Sequence, residues 1–268
     1  MEHQDQSASA FAAVTGASSG IGLELAKQFA RNGFDLMIVA EDEGIFDAAR
    51  EIESLGAKVE AVQIDLADED GVDEFYERIA SYGAPLDAIA INAGVGVGGP
   101  FLENDIDDEL NIIDLNVVST VRLSKYVLRD MAARNEGRVL YTSSIAADAP
   151  GPFEAIYAAS KAFVQSFAEA VRNELKDTGI TVTSLQPGPT ETNFFERAGM
   201  EDTKVGASKK DDPADVAKEG FDALMAGKDH VVAGAMKNKV QSTMSKVMPE
   251  TTGAEMHRKQ AEPGSANQ

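Results

Sequence analysis

The chain contains no cysteine and no tryptophan. The missing cysteine rules out disulfides, thiolate metal ligands and a cysteine nucleophile, and a reducing cytoplasm is the simplest expected location. Only three histidines occur, His3, His230 and His257, all near the chain ends. They form no ligand cluster in the sequence, so no catalytic metal is expected. Cations are scarce as well: 24 Lys and Arg stand against 45 Asp and Glu, a net charge of −21. Such a surface repels phosphate backbones and anionic headgroups, which argues against DNA, RNA and membrane partners. No apolar run approaches the roughly 18–20 residues that span a bilayer. Residues 1–10 are polar and lack the basic and apolar regions of a signal peptide.

What is present is an ordinary globular balance of 43% hydrophobic and 26% charged residues over 268 positions, enough to bury a full core. From about residue 10 to 190, short apolar runs alternate with amphipathic stretches. Strand-like runs fall at 11–14, 36–40, 59–64, 88–91, 138–141 and 181–185. Helical spacing occupies 20–32, 45–55, 69–82, 110–134 and 155–177. Continuous apolar strands separated by helices imply a parallel sheet covered on both faces, and right-handed crossovers make it doubly wound. The expected fold is therefore α/β, a single Rossmann-like domain with helices on both faces. Its expected parts are a flexible N-terminus over 1–9, a dinucleotide-binding and catalytic domain over 10–235, and a C-terminal helical extension with a disordered tail over 236–268. Within this plan 190–212 reads as a mobile polar excursion carrying Phe194 and Phe195. Asp212-Pro213 opens a helix, 230–233 forms a last strand, and 237–248 has helical periodicity. The acids Asp105, Asp107, Asp108 and Glu109 read as a solvated helix start.

Thr15-Gly16-Ala17-Ser18-Ser19-Gly20-Ile21-Gly22 lies between the first strand and the first helix, where a dinucleotide-binding sheet places its pyrophosphate loop. Gly16 permits a sharp turn, Gly20 a close approach of backbone to phosphate, and Gly22 tight packing of helix on sheet. The spacing is G-x-x-x-G-x-G rather than G-x-G-x-x-G. Glu41 follows the second strand nineteen positions after Gly22, where an acid accepts hydrogen bonds from the adenosine ribose. Asp42 is acidic too, and no Arg or Lys is near in sequence. A 2′-phosphate would meet two carboxylates, so NAD is expected in preference to NADP.

These residues resemble the short-chain dehydrogenases/reductases, over nearly the whole chain to about residue 195. Thr15 to Gly22 matches the family's T-G-x-x-x-G-x-G loop, including Ser18, Ser19 and Ile21. Asp65-Leu66 is similar to its adenine-contacting pair, and Asn92-Ala93-Gly94 to its N-A-G motif. Asn116 occupies the place of its catalytic asparagine. Ser144 precedes Tyr157 by thirteen residues, and Tyr157-Ala158-Ala159-Ser160-Lys161 is its Y-x-x-x-K motif. Pro187-Gly188, with Thr190 and Thr192, resembles the segment that holds the nicotinamide carboxamide. Ile91 departs from the asparagine often found before N-A-G, and Ser18 and Ser19 stand where NADP users often carry a basic residue. The resemblance implies that Tyr157 and Lys161 also touch the cofactor, and that Asn116 positions a water connecting Lys161 to solvent.

Hydride transfer at a carbonyl carbon needs a matching proton transfer at oxygen, and a tyrosine of pKa about 10 is a poor base at neutral pH. Tyr157 and Lys161, four apart on a helix, share one face, so the ammonium is expected to lower the Tyr157 pKa toward working pH. Ser144, at a strand end, can hold the substrate oxygen. The pocket walls are expected from 95–101, 146–153 and the Phe194-Phe195 excursion, and they fit a neutral or weakly polar secondary alcohol or ketone. The helices at 110–134 and 155–177 resemble those the family uses to form homodimers and homotetramers. Two alternatives stay open: an NADP-dependent ketoreductase such as a 3-oxoacyl reductase, and a non-enzymatic nucleotide-binding protein on the same fold.

Overall fold

The computed structural model describes residues 9–245 and 248–267, and the expected flexible segment 1–9 lies, Ser9 apart, outside them. The first half of the chain alternates β1 (Ala10–Thr15), α1 (Gly20–Arg31), β2 (Phe34–Ala40), α2 (Gly44–Glu53), β3 (Val59–Gln63), α3 (Glu69–Ser81) and β4 (Ala88–Ile91). Then α4 (Ile106–Ile113) passes through a π-helical turn, Asp114–Ser119, into α5 (Thr120–Arg134), β5 (Gly137–Thr142), α6 (Ala155–Glu174) and β6 (Ile180–Pro187). The remainder is α7 (Phe194–Arg197), α8 (Lys204–Ala207), α9 (Pro213–Met225), β7 (His230–Ala233), α10 (Met236–Ser245) and α11 (Glu250–Ala261). The single helix expected over 110–134 thus begins earlier and is interrupted by the π turn.

Among the described residues the seven strands form one sheet in the order β3-β2-β1-β4-β5-β6-β7, every pair parallel. Adjacent residues of β1 serve opposite faces. Ala12 and Val14 pack with Leu25 and Phe29 of α1, Ile45 of α2 and Phe221 of α9. Phe11 and Ala13 pack with Phe75 of α3, Leu123 of α5 and Val164 of α6. This two-sided burial is why the strands read as unbroken apolar runs. The strand order reverses between β1 and β4, and such a reversal leaves a crevice at the carboxyl ends of the strands. No helix among the described residues is long and apolar enough to cross a membrane.

Local signals start and stop the elements. Asp68, Asp105 and Asp212 each accept a hydrogen bond from the N–H two residues on, capping α3, α4 and α9. Asn135, at φ 55°, turns the chain out of α5. Glu109 departs from the solvated reading: it is buried and accepts a hydrogen bond from Asn104 Nδ2 at 2.8 Å. Arg122 clamps α5 to α3, with Nε and Nη2 each 2.7 Å from the Asp73 carboxylate and Nη1 2.7 Å from Glu69. Hydrogen bonds from Arg122, aided by the Tyr126 hydroxyl, hold the Asp73 carboxyl at about 2 against an ordinary 3.8. A carboxyl depressed in the folded state contributes stability above its unfolded value and loses it as pH falls through the folded one. Asp73→Asn should therefore be less stable than the parent at pH 7, with the gap closing as pH falls from about 4 toward 2. Urea unfolding at several pH values checks this, and a gap independent of pH would contradict it.

The excursion over 190–212 is held rather than free. Phe195, Ala198 and Met200 bury themselves against Ala261 at the end of α11, and Thr190 bridges to Asp211. The tail expected to be disordered from Glu262 is also pinned. Gly264 N–H donates to the Asp202 carboxylate and Ala266 N–H to its carbonyl, both at 2.9 Å, while Ser265 Oγ accepts from Lys204 N–H. The partners lie some sixty residues upstream, so composition alone could not reveal the docking.

Candidate active site

One cavity of about 770 Å³ opens at the carboxyl ends of the central strands. Gly16, Ser18, Ser19, Gly20, Ile21 and Gly22 line its floor, and Glu41, Asp65 and Leu66 one end. Asn92, Ala93 and Gly94 lie along its middle, with Ser144, Tyr157, Lys161, Pro187, Gly188, Thr190 and Thr192 beyond. Of the site residues expected from the sequence, Asn116 alone does not reach the wall.

The loop is built for close approach. Gly16 sits at φ +66° with its N–H on the Val39 carbonyl, and a Cβ on Gly22 would lie 2.0 Å from the Gly16 oxygen. Thr15 Oγ1 accepts from the N–H groups of Asn92 and Ala93, both at 2.9 Å. Asn92 Nδ2 returns a bond to the Thr15 carbonyl at 3.1 Å, so the strand-end loops of β1 and β4 hold each other. Ser19, at the N-cap of α1, makes no side-chain cap, leaving the helix N-terminus open to an anion. These features fit a nucleotide pyrophosphate.

The Glu41 end of the cavity differs from the sequence picture in one respect. Asp42 accepts from Ser18 Oγ at 2.7 Å and from Gly44 N–H at 2.9 Å. Arg197, carried there by α7, stands 3.8 Å from the same carboxylate. A cation therefore reaches Asp42 although none is near it in sequence. The fold brings it across the cavity mouth.

Tyr157 and Lys161 lie one turn apart on α6, with Lys161 Nζ 5.9 Å from the centre of the phenol ring. Lys161 is buried and donates to the Thr142 carbonyl at 3.0 Å, and burial pulls its ammonium down to about 8. The expected lowering of the Tyr157 pKa is not what the structure has. Burial first, and the Glu154 carboxylate second, push the phenol above its ordinary 10, while its hydrogen bond with Ser144 works the other way. The correction is physical: Lys161 sits beneath the ring with its ammonium turned to Thr142, and removal from water disfavours the phenolate. Ser144 Oγ also accepts from Ala146 N–H at 3.1 Å. Its neighbour Ser143 donates its hydroxyl to the Lys161 carbonyl at 2.9 Å, a purely backbone-holding use.

Asn116 lies in the π-helical turn, fully buried. Its Oδ1 accepts from Val95 N–H, and its Nδ2 donates to the Val95 carbonyl and to Ser160 Oγ, at 2.9–3.0 Å. The side chain thus clamps the loop after β4 to α6. π turns recur at functional sites.

Val95, Gly96, Ala146, Ala149, Phe194 and Phe195 line the same cavity. Phe194 lies 5.0 Å from the Tyr157 ring. Phe101 does not line it, being 55% exposed on the outer surface. The sequence reading missed the far wall, which α10 and α11 supply through Val240, Met244, Met256 and His257. The helical periodicity at 237–248 was the signal available for half of it.

Comparison with known proteins completes this picture. A profile described as short chain dehydrogenase matches residues 10–202. The chain is 32% identical over 215 residues to an uncharacterized oxidoreductase of Staphylococcus saprophyticus, covering 80% of this chain and 90% of that one. It is 37% identical over 177 residues to a very-long-chain 3-oxoacyl-CoA reductase of Neurospora crassa, covering 64% of this chain and 53% of the reductase. The match thus spans about half the length of that relative. Among solved structures, a short-chain dehydrogenase from Sphingobium yanoikuyae in complex with NADPH superposes with a TM-score of 0.79 at 26% identity, covering 90% of this chain and 96% of the other. The chain belongs to the short-chain dehydrogenase/reductase family and is an oxidoreductase with that family's Rossmann-like fold.

Proposed function

We propose that the protein interconverts a secondary alcohol and a ketone with NAD, Tyr157 moving the proton at the substrate oxygen. The observation that carries this is the placing of Tyr157, Lys161 and Ser144 on one wall of the cavity whose floor is the Gly16–Gly22 loop. When bound, the dinucleotide supplies the hydride donor or acceptor. The chain's own residues do the rest. Ser144 holds the substrate oxygen, and Tyr157 gives or takes the proton there. Lys161 keeps a buried positive charge beneath the ring. Asn116 is a positioning residue: it fixes Val95 and Ser160, and the opened turn around it suits a water that leads from Lys161 toward solvent.

The Glu41 and Asp42 carboxylates support NAD over NADP, since a 2′-phosphate would lie among anions. Arg197 and the NADPH held by the Sphingobium relative favour a second reading, an NADP-dependent ketoreductase. Fluorescence titration with NADH and NADPH separates the two. NADH is expected to bind roughly tenfold more tightly, a difference of about 1.4 kcal/mol, and tighter NADPH binding would overturn the preference.

The substrate reading rests on the large apolar side chains Val240, Met244, Met256 and Phe194 in the cavity wall, which suit a neutral alcohol or ketone. Phe101, Leu102, Ile106, Leu110, Ile113 and Phe163 are exposed along α4 and α6 and the loop before α4. A patch of this kind suits self-association as a homodimer or homotetramer. A chain without cysteine acting on small neutral molecules fits the cytoplasm.

A further inference from the structure

The far wall holds one ionisable pair that the proposed chemistry does not use. His257 Nε2 lies 2.9 Å from Glu154 Oε2, the carboxylate being 8% and the imidazole 17% exposed. Both residues line the cavity, and Glu154 is close enough to Tyr157 to act on its phenol. The pair joins distant parts of the chain, since Glu154 immediately precedes α6 whereas His257 belongs to α11. The backbone is bent to present it. Phe153, next to Glu154, is held at φ +66°, a left-handed conformation unfavourable for a non-glycine residue. Its carbonyl accepts from Gly99 N–H at 2.9 Å, and Arg258 stacks on its ring at 4.9 Å.

Around the pair the wall is open and carries apolar side chains among polar ones such as Gln241 and Gln260. Gly253, Met256, His257 and Gln260 form one face of α11 at spacings of three, four and seven, all turned to the cavity. Val240, Met244 and Met256 line the same cavity yet remain 51%, 50% and 46% exposed. Large apolar groups in a concave wall become dry only when something apolar covers them, and thioethers adapt to bulky shapes.

The Glu154 carboxylate engages Nε2 of His257 at 2.9 Å and leaves Nδ1 as the ring nitrogen open to a ligand. Nδ1 has no hydrogen-bond partner among the described residues.

We propose that the Glu154–His257 pair is a specificity anchor, His257 Nδ1 accepting a hydrogen bond from a hydroxyl that a bulky apolar ketone or alcohol carries away from its reacting carbon. This rests on the ketone–alcohol reading above. The substrate class is accordingly hydroxy ketones and the diols they give on reduction.

The test compares benzylacetone, para-hydroxybenzylacetone and para-methoxybenzylacetone as substrates of the full chain with NADH. The hydroxy ketone should exceed the other two roughly tenfold in kcat/KM, because neither can donate to Nδ1. In His257→Phe the ratio should fall to about one, with the change mainly in KM. His257→Gln, a polar replacement of similar reach, should lose most of the ratio too, and it decides the matter if the Phe variant does not fold by circular dichroism. Equal kcat/KM for the three ketones in the parent overturns the anchor, as does a ratio that survives in the folded variants. Turnover of none of the three while other ketones are reduced overturns the anchor and leaves the general reading standing. A Tyr157→Phe variant that still reduces ketones overturns the general reading instead.

Discussion

Tyr157→Phe is expected to lower kcat by about a thousandfold, within the range of a lost general acid–base, while the dissociation constant for NADH stays within about threefold of the parent. The substitution removes one oxygen and little else. The ring keeps its place 5.0 Å from Phe194 and 5.9 Å from Lys161 Nζ, and the Gly16–Gly22 loop, on a different element, is untouched. Since the half-buried phenol is pushed above its ordinary value by desolvation and Glu154, it enters the reaction as a proton donor at neutral pH. Ketone reduction by the parent should therefore hold its rate through neutrality. Alcohol oxidation, which needs the phenolate, should climb with pH. Steady-state kinetics in both directions, with a fluorescence titration of NADH, measure all three quantities. Retained turnover in Tyr157→Phe would refute the assigned proton path.

The part of the site legible in the sequence is the part built from local geometry. A strand, a glycine turn and a helix start are consecutive in the chain, so Thr15–Gly22 announces itself. Tyr157 and Lys161 share a face because the helix repeats every 3.6 residues. The sheet was legible because strands buried on both sides must be apolar throughout. What escaped depends on groups far apart in sequence. Arg197 reaches Asp42 only because the α7 excursion folds over the cavity. His257 reaches Glu154 across 103 residues. α11 has few apolar side chains, and it docks by its Gly253–Gln260 face and by Ala261 rather than by a continuous apolar stripe, so no hydrophobic period marked it. The Tyr157 environment was misread for a related reason. Spacing told which residues are neighbours, but the balance between a nearby ammonium and loss of water depends on burial and on where that ammonium points.

Lys161→Met should move activity and stability in opposite directions. The ammonium is buried, and its drop from 10.5 to about 8 corresponds to about 3 kcal/mol held against the charged form. Against this stands one hydrogen bond to the Thr142 carbonyl at 3.0 Å, a charged-donor bond of about 1.5–3 kcal/mol. Methionine keeps the apolar stem and removes the charge, so at pH 7 the variant should match the parent or exceed it by about 1 kcal/mol, a melting shift of about 2–4 °C. The pH dependence carries the sign. Between about 8 and 10.5 the unfolded chain binds a proton that the folded chain has released. The Lys161 contribution to parental stability therefore rises with pH across that window and is least favourable below it. The stability of the variant relative to the parent should be greatest below pH 8 and should decline by pH 10.5. Turnover should fall by at least about a hundredfold at every pH, since Tyr157 loses its only cationic neighbour on the same helix face. Thermal unfolding and kinetics on one preparation measure both effects. A variant destabilised at pH 7, with activity retained, would mean that the lysine serves the fold. The opposite result would mean that the fold carries a buried cation at its own expense for the sake of the reaction.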